Sequence, residues 1–330
     1  MADPNNYWVV FTTQSLRSIN MSNGSRHGLY LVPETAYGTT PATPSFDFYR
    51  HNTTTLAVAK NTLQSEEIRP NRQITDFRMG TQQGAGNVVS ELAFGSFDKV
   101  LEALMLGTWD SDTVRIGTTR RSFSILRVFD DLDGAAPNNK KCQLFTGMEA
   151  NTLSLAVTTE AINQITVGWV GKGMSLSATP PVGATLGTPD NTAGMDSFTG
   201  TITEGGQAIA VITEIQINLE NGIEPRYVVG SRNSIRPSLG VAQVSGQVTA
   251  YFEDSYLLEK YINEQTSNIE FTLTDGEGGN AYKFTLPKIK YTGGNTDVGG
   301  QGSITIVLPF TATYDGTSDT TMMITRIPDA

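Results

Sequence analysis

The residues that could do chemistry in this chain are carboxylates and glycines in short runs, and their spacing fits turns. Segment 275–280 is acidic and rich in glycine, as calcium loops are, but helical spacing does not flank it and no glutamate closes it. Segment 130–134 is acidic in the same way. We interpret both segments as tight turns between strands.

The glycine runs 80–86 and 293–302 invite comparison with phosphate-binding loops. A phosphate loop joins a strand to a helix and carries a lysine and a Ser or Thr at fixed positions. Here the glycines lead into strand-like segments, which favours turns and bulges. Glu66 and Glu67 are adjacent, so on a strand their side chains would point to opposite faces and would not share an acid-base site.

The sequence lacks the residue types that a metal site or an activated nucleophile would need. His27 and His51 are the two histidines and Cys142 is the single cysteine, which excludes an intramolecular disulfide and a cysteine-based zinc cluster. With so few histidines no base is evident for a Ser or Thr nucleophile. The sequence therefore predicts no metal, no cofactor and no enzymatic activity.

The net charge and the first residues of the chain further narrow the class of protein. The formal net charge of −10 argues against a protein that binds nucleic acid through the phosphates of the nucleic acid. No segment approaches the roughly 18 apolar residues of a membrane span, and residues 1–7 do not open as a secretory signal does. We expect a protein without membrane contact that is made and assembled in a cytoplasm.

The elements that carry these residues repeat in one order. An alternating segment, 86–94, runs into helical spacing at 96–105, and 246–252 runs into 254–262 in the same way. Further along, 122–125 matches 270–273 and 164–169 matches 303–308. The sequence thus predicts a mainly β fold in which one module with a single short helix occurs twice. Each helix has an apolar stripe predicted to face a core: Phe97, Val100, Leu101 and Leu104 in the first, and Leu257, Leu258, Tyr261 and Ile262 in the second.

Two long polar segments, 69–84 and 226–245, occupy matching places and are too irregular for strands, and loops of this length are usually functional. Each carries three arginines: Arg69, Arg72 and Arg78, and Arg226, Arg232 and Arg236. Along 214–220, apolar residues alternate with the outward set Glu214, Gln216, Asn218 and Glu220. We predict an N-terminal arm and loop over 1–50, a first module with a long linker excursion over 51–205, and a second module over 206–330.

The chain resembles the major tail tube proteins of long-tailed, non-contractile bacteriophages. The likeness rests on 38–41, 63–72, 86–104 and 147–155, and extends over most of the chain once the second copy is counted. The resemblance implies β-sandwich or half-barrel modules, each with one short α-helix, whose inner sheets join into a barrel around a lumen. Because some duplicated members form trimers with pseudo-sixfold symmetry, it also implies a homotrimeric ring.

The resemblance further implies that rings stack into the tube of a virion tail, that tape-measure, tail tip and tail terminator proteins are partners, and that double-stranded DNA passes through without binding. The arginines of 69–84 and 226–245 would then lie in inter-ring contacts, although solvated guanidinium groups on an ordinary surface fit them equally well. The lumen would be lined by Glu214, Gln216, Asn218 and Glu220, with Glu66 or Glu67 from the first module. An ordinary solvated sheet face is the alternative for these residues.

A two-domain β-sandwich adhesin or carbohydrate-binding module is the alternative function. Such a protein would more often carry an export signal and a cluster of aromatic residues. Trp8, Trp109 and Trp169 are scattered along the chain, which disfavours that alternative. The sequence does not specify the host, the receptor, the length or helical parameters of a tube, or which sheet face would line a lumen.

Overall fold

The computed structural model describes residues 22–132, 136–159, 161–196, 201–209, 211–276, 279–298 and 300–329. In these residues the fold is mainly β, with two short α-helices and a 3-10 turn at Gly24–Arg26, as the sequence predicts. No helix in the described ranges is long and apolar enough to cross a membrane.

The elements up to the middle of the chain are β1 (His27–Pro33), β2 (Ser45–Phe48), β3 (Thr53–Thr54), β4 (Ala57–Gln64), β5 (Phe77–Glu91), α1 (Asp98–Leu104), β6 (Thr113–Arg115), β7 (Phe123–Phe129), β8 (Cys142–Thr158), β9 (Gln164–Gly171), β10 (Gly173–Ser177) and β11 (Thr185–Leu186). Those that follow are β12 (Ile202–Glu204), β13 (Gln207–Ala208), β14 (Ile212–Glu220), β15 (Glu224–Arg226), β16 (Ile235–Ser238), β17 (Gln243–Tyr251), α2 (Tyr256–Ile262), β18 (Thr266–Thr274), β19 (Ala281–Tyr291), β20 (Asn295–Asp297), β21 (Thr305–Ala312) and β22 (Met323–Ile327).

Two series of antiparallel strands pair in the same order. The first runs β4-β5-β9-β8-β7 and the second runs β14-β17-β21-β19-β18. A helix follows the second strand of each series. The last pair of each series has a register shift, between Phe123 and Ile125 in one and between Ser267 and Ile269 in the other. We call the two series, with their helices, the first and the second unit.

A continuous apolar core runs through both units. Its strands alternate between buried and solvent-facing residues, as sheets covered on one face do. Trp169 of β9 is fully buried and packs edge-on against Phe123 and Tyr49, with ring centroids 5.8 and 6.2 Å apart. The first 5 residues of β8 pair with β10 and its later part with β9, so this strand passes from one sheet layer to the other.

The helices pack largely as their stripes predict. Phe97, Val100, Leu101 and Leu104 are buried in the first unit. In the second, Leu257 is buried and Leu258 and Tyr261 pack against the core. The prediction for Ile262 is wrong, because its side chain is 66% exposed. α2 ends at this residue, so no further turn continues its apolar stripe along the core.

Three segments hold more strand than the sequence suggests. β1 and β2 lie within the predicted arm, and β1 pairs with β7 along its whole length because Leu29 and Leu31 complete the core. The segment 69–84 is not irregular throughout, since β5 starts at Phe77 and forms a hairpin with β4. In the stretch between the units, β11 pairs with β2, and β12 pairs with β18 of the second unit.

Candidate assembly surface

The described carboxylates of the acidic turns accept hydrogen bonds from neighbouring groups. Within the described ranges there is no group of three or more His, Cys, Asp or Glu side chains that could hold an ion. Asp275 accepts a hydrogen bond from the side chain of Asn280 (3.0 Å) across the turn. Asp131 accepts from Ser22 Oγ (2.7 Å) and from the backbone N–H of Asn23 (2.5 Å), and these bonds lower the pKa of its carboxyl. Both carboxylates thus serve local chain geometry. Residues 133–134 and 277–278 of these two motifs lie outside the described residues.

The two histidines meet although they lie far apart in sequence. His27 Nδ1 is 2.8 Å from His51 Nε2, and Arg127 Nε donates to His27 Nε2 (3.1 Å). Burial, and then the positive charge of Arg127, lower the pKa of His27 to about 4, so the ring is neutral at pH 7. The positive charge of the Arg127 guanidinium beside the His27 ring also disfavours binding of a metal cation there. This contact cannot be predicted from the sequence, because it depends on the pairing of β1 with β7.

The two units share one sheet through β8 and β14. Residues 152–158 of β8 pair with β14 on the edge opposite β9, in an antiparallel register that sets Leu155 against Ile217. Eight strands therefore run side by side in the order β4-β5-β9-β8-β14-β17-β21-β20. The junction between the units is a row of backbone hydrogen bonds, and it is as regular as the pairs within each unit.

The two ends of this eight-stranded sheet are edges. In the described part of the chain, β4 pairs with no strand except β5, and β20 with none except β21. Apolar residues are exposed beside both edges. Val298, next to β20, is 71% exposed. On the hairpin of β4 and β5, the exposed apolar side chains are Leu63, Ile68, Ile74, Phe77 and Met79. Unpaired edges flanked by apolar surface are typical of chains that pair with further copies.

The face of this sheet that points away from the core is polar, and from residues 84–91 of β5 across to β21 it lacks cations. The segments 84–91, 152–158 and 164–171 and strands β14, β17 and β21 contain no lysine or arginine. Glu214, Gln216, Asn218 and Glu220 lie on this face, since Ile215, Ile217 and Leu219 are buried on the other. Glu91, which alternates with the buried Ser90, joins them from β5. Glu66 and Glu67 lie beyond the end of β4, on the exposed loop of the hairpin, and not on this face.

The six arginines of the long polar segments fall into two groups. Arg69, Arg72 and Arg78 lie on the projecting hairpin, where Arg69 pairs with Glu67 (2.9 Å) and Arg78 with Asp76 (2.7 Å).

The other three arginines lie on the loop 221–242, which folds against the first unit of the same chain. Arg236 Nε donates to the buried Glu149 (3.1 Å), and Arg226 donates to the carbonyl oxygen of Arg236 (2.9 Å). The carbonyl oxygen of Arg232 accepts from the backbone of Gln82 (2.7 Å). This loop is therefore an intrachain contact, which the sequence does not reveal.

The match to a family is consistent with this surface. No curated protein sequence matches the chain significantly. A family model described as phage tail tube protein matches residues 24–312, which covers both units and the junction between them. The chain belongs to the phage tail tube protein family, whose members are structural components of the virion tail.

Proposed function

We propose that this chain builds the tube of a long-tailed, non-contractile phage, with three copies closing a pseudo-sixfold ring around a lumen that conducts DNA. The observation that carries the proposal is the junction of β8 and β14 inside the chain, together with the edge strands β4 and β20, each of which pairs with a single strand in the described part of the chain. A closed ring would pair each β20 edge with the β4 edge of the next copy. No edge would then stay open.

Internal duplication supports this arrangement, because the units correspond residue by residue in their pairing. Gly86 faces Trp169 in the first unit and Gly246 faces Phe310 in the second. Trp169 therefore corresponds to Phe310, two residues beyond the match that the sequence suggests. The shared register shift makes Phe123 correspond to Ser267, four residues before its sequence match. Both displacements are even numbers, so each residue stays on the same face of the sheet. The alternation of polar and apolar residues therefore does not reveal them.

The same correspondence describes the contact between copies. In this correspondence β14 matches residues 53–59, and residues 154–156 of β8 match β20. Within the chain Leu155 pairs with Ile217. Between copies, the equivalent pair would be Thr296 of one copy and Leu56 of the next. Val298 corresponds to Val157, which pairs with Ile215 of β14 and is 4% exposed. The exposure of Val298 is thus the exposure that a missing neighbour would leave. Arg127 donates to the carbonyl oxygen of Leu56 (2.7 Å), so this edge already has one partner.

The width of the ring favours three copies. Strands spaced about 4.8 Å apart and tilted by about 40° close around a circle whose diameter grows with strand number. Eight strands from one chain would give a barrel about 16 Å across, which side chains fill. Three chains would give about 48 Å between backbones, wide enough for a DNA duplex.

The face without cations would line that lumen. Glu91, Glu214 and Glu220 supply negative charge, and the Gln, Asn, Ser and Thr side chains beside them are neutral. Such a wall repels phosphates and offers no guanidinium or ammonium group to hold them. DNA would therefore pass without sticking. For the lumen we retain Glu214, Gln216, Asn218 and Glu220 and replace Glu66 and Glu67 with Glu91.

Stacking of rings would use the projecting hairpin. The hairpin carries the exposed Ile68 and Ile74 together with Arg69, Arg72 and Arg78, so it combines apolar area with charges that could pair with carboxylates of the next ring. Head-to-tail contacts of this kind do not close, and therefore produce a filament. Arg226, Arg232 and Arg236 would instead hold the two units of one chain together. Tape-measure, tail tip and tail terminator proteins would cap and measure the tube during assembly in the host cytoplasm.

The test replaces a valine at the proposed edge. Val298→Asp places a charge where the next copy would pack, whereas Val182→Asp is a matched control at an exposed valine outside the described strands. Electron microscopy of the unsubstituted protein and of the control should show hollow tubes with threefold or pseudo-sixfold rings. Val298→Asp should stay monomeric with an unchanged melting temperature, because the residue is solvent-exposed in the monomer.

Two results would contradict the proposal. If the unsubstituted chain stays monomeric at all concentrations, both in the absence and in the presence of tail tip proteins, the chain does not build a tube. If Val298→Asp forms tubes as readily as the control, β20 is not the closing edge.

A further inference from the structure

The corner where β5 turns into α1 is closed by a segment that belongs to neither strand series. Residues 190–196 cross this corner, and Met195 is fully buried there. The backbone N–H of Met195 donates to Leu92 (2.8 Å), and its carbonyl oxygen accepts from the N–H of Asn163 (2.9 Å). Gly194 forms a bridge with Ala93. The segment, which we call the strap, thus adds a short strand to the end of the first unit.

The matching corner of the second unit has no strap within the described residues. There Phe252 donates to the carbonyl oxygen of Ile304 (2.9 Å), as Leu92 donates to Asn163 in the first unit (3.0 Å). Beside this bond lies an open groove of about 320 Å³. Its lining includes Val211, Tyr251, Asp254, Tyr256 and Leu257. Tyr251 and Tyr256 are exposed in it, so the groove presents apolar surface to solvent.

The strap reaches the first unit from the start of the second. Asp196 donates its N–H to Thr274 at the end of β18 (2.9 Å), and the chain then enters β12, which pairs with β18. At the start of the first unit, Ser22 and Asn23 bond to Asp131 just past the end of β7, and the chain then enters β1, which pairs with β7. The described chain therefore enters the first unit at Ser22 in the way that it enters the second unit at Asp196.

We propose that residues 15–21 of one copy form the strap for the second unit of the neighbouring copy in the same ring. This inference rests on the proposed ring, in which the first unit of one copy follows the second unit of another as the second unit follows the first within the chain. Met21 then corresponds to Met195 and Asn20 to Gly194. The residue opposite Asn20 is Glu253, which corresponds to Ala93.

The chemistry of the segment matches the groove. Leu16, Ile19 and Met21 are apolar, and Arg17 is its single charge. The groove offers apolar rings together with the carboxylates of Glu253 and Asp254. In the first unit the signs of the charges are reversed, because the unit carries the cation, Arg50, and the strap carries the anion, Asp190 (2.9 Å apart). In the second unit, the residue near the position of Arg50 is the uncharged Val211. Each strap would therefore favour its own groove.

Cysteine cross-linking between two single variants tests the proposal. Asn20→Cys and Glu253→Cys are mixed, assembled and oxidised, and Cys142 stays in place because it is buried. Residues opposite each other across antiparallel strands come within disulfide reach. About half of the chain should become covalent dimer in an equal mixture, because only an Asn20→Cys copy followed by a Glu253→Cys copy can link, and none should form in either variant alone. The matched control replaces Glu253→Cys with Glu264→Cys, just past the C-terminal end of α2, and should give no dimer.

The double variant Asn20→Cys/Glu253→Cys identifies the neighbour. Contacts within a ring should give covalent species that stop at the trimer. A ladder beyond the trimer, or a link within one chain, would overturn the proposal. Tubes visible by electron microscopy without any cross-link would overturn this inference alone, whereas absence of tubes from the unsubstituted chain would overturn the proposed function and the inference with it.

Discussion

At the scale of single residues, an unusual feature is the buried ion pair of Glu204 and Lys260. Lys260 Nζ donates to both carboxylate oxygens of Glu204 (2.9 and 2.6 Å) and to Ser267 (3.0 Å). Tyr291 donates to the same carboxylate (3.1 Å), and burial together with that negative charge raises the pKa of its hydroxyl. Glu204 occupies the position that corresponds to Leu31 in the first unit, where the core is apolar. The pair thus links β12 to α2 by charge where the first unit uses packing.

Removing one partner of this pair should be costly, and removing both should not. Lys260→Met leaves Glu204 buried without its cation, so we expect a loss of about 3–5 kcal/mol in the free energy of unfolding. Glu204→Leu/Lys260→Met restores the apolar character of the first unit and should lie within about 1–2 kcal/mol of the unsubstituted chain. Urea denaturation of the three proteins measures both differences. Equal losses in the single and double variants would show that the site depends on the pair itself.

At the scale of elements, the loop 221–242 is fixed to the first unit by Glu149. This carboxylate is buried between Arg120 and Arg236, and Arg120 also donates to the carbonyl oxygen of Pro237 (2.8 Å). Glu149 lies on β8, next to the part that pairs with β14. The cluster therefore holds the loop between β14 and β17 against the preceding unit. A buried charge with two cationic partners and hydrogen bonds to both oxygens meets the conditions under which such pairs stabilise a fold.

Arg236→Ala should release the loop without unfolding the sheet. Arg120 still neutralises Glu149, and Arg236 is partly exposed, so the expected loss of stability is about 1–2 kcal/mol. Hydrogen exchange should quicken in 224–238 and stay unchanged in β14 and β17. Arg69→Ala, at an exposed arginine of the hairpin, is the matched control and should leave exchange in 224–238 unaltered. Slow exchange in the loop of Arg236→Ala would show that apolar contacts hold it.

How far the sequence predicts this fold depends on how local each signal is. The helices, the alternation of β14 and the order of elements rest on periodicities of a few residues, and the structure agrees with them apart from Ile262. β1 has no local signal in the sequence, because Gly, Asn and Ser surround a short apolar run whose partner, β7, lies about 100 residues later in the chain. The contact of Arg236 with Glu149 and the junction of β8 with β14 depend likewise on distant pairing. Charge and spacing alone therefore identified arginine-rich segments but not which surface each one contacts.

At the scale of the whole molecule, the distribution of charge separates the outward face of the eight-stranded sheet from the rest of the surface. The chain has 23 lysine and arginine residues, yet 84–91, 152–158, 164–171, β14, β17 and β21 contain none. Edge strands often carry lysine as protection against pairing, whereas neither β14 nor β17 needs it, because each lies between two neighbours. The absence of cations extends across both units, so a requirement of the assembled face explains it better than a requirement of either fold. The proposed passage of a polyanion would be such a requirement.

Reversing charge on this face should impair passage of DNA while leaving assembly intact. In phage particles that carry Glu214→Lys/Glu220→Lys, phosphates would meet ammonium groups along the wall, and DNA release after triggered ejection should slow by on the order of tenfold at low salt. The delay should shrink as salt rises, because ions screen these contacts. Glu259→Lys/Glu264→Lys adds the same charge on and just after α2, away from the polar face, and should release DNA at the normal rate. Normal release from the first variant would mean that the face lies outside the lumen, and failure of both variants would point to net charge as the cause.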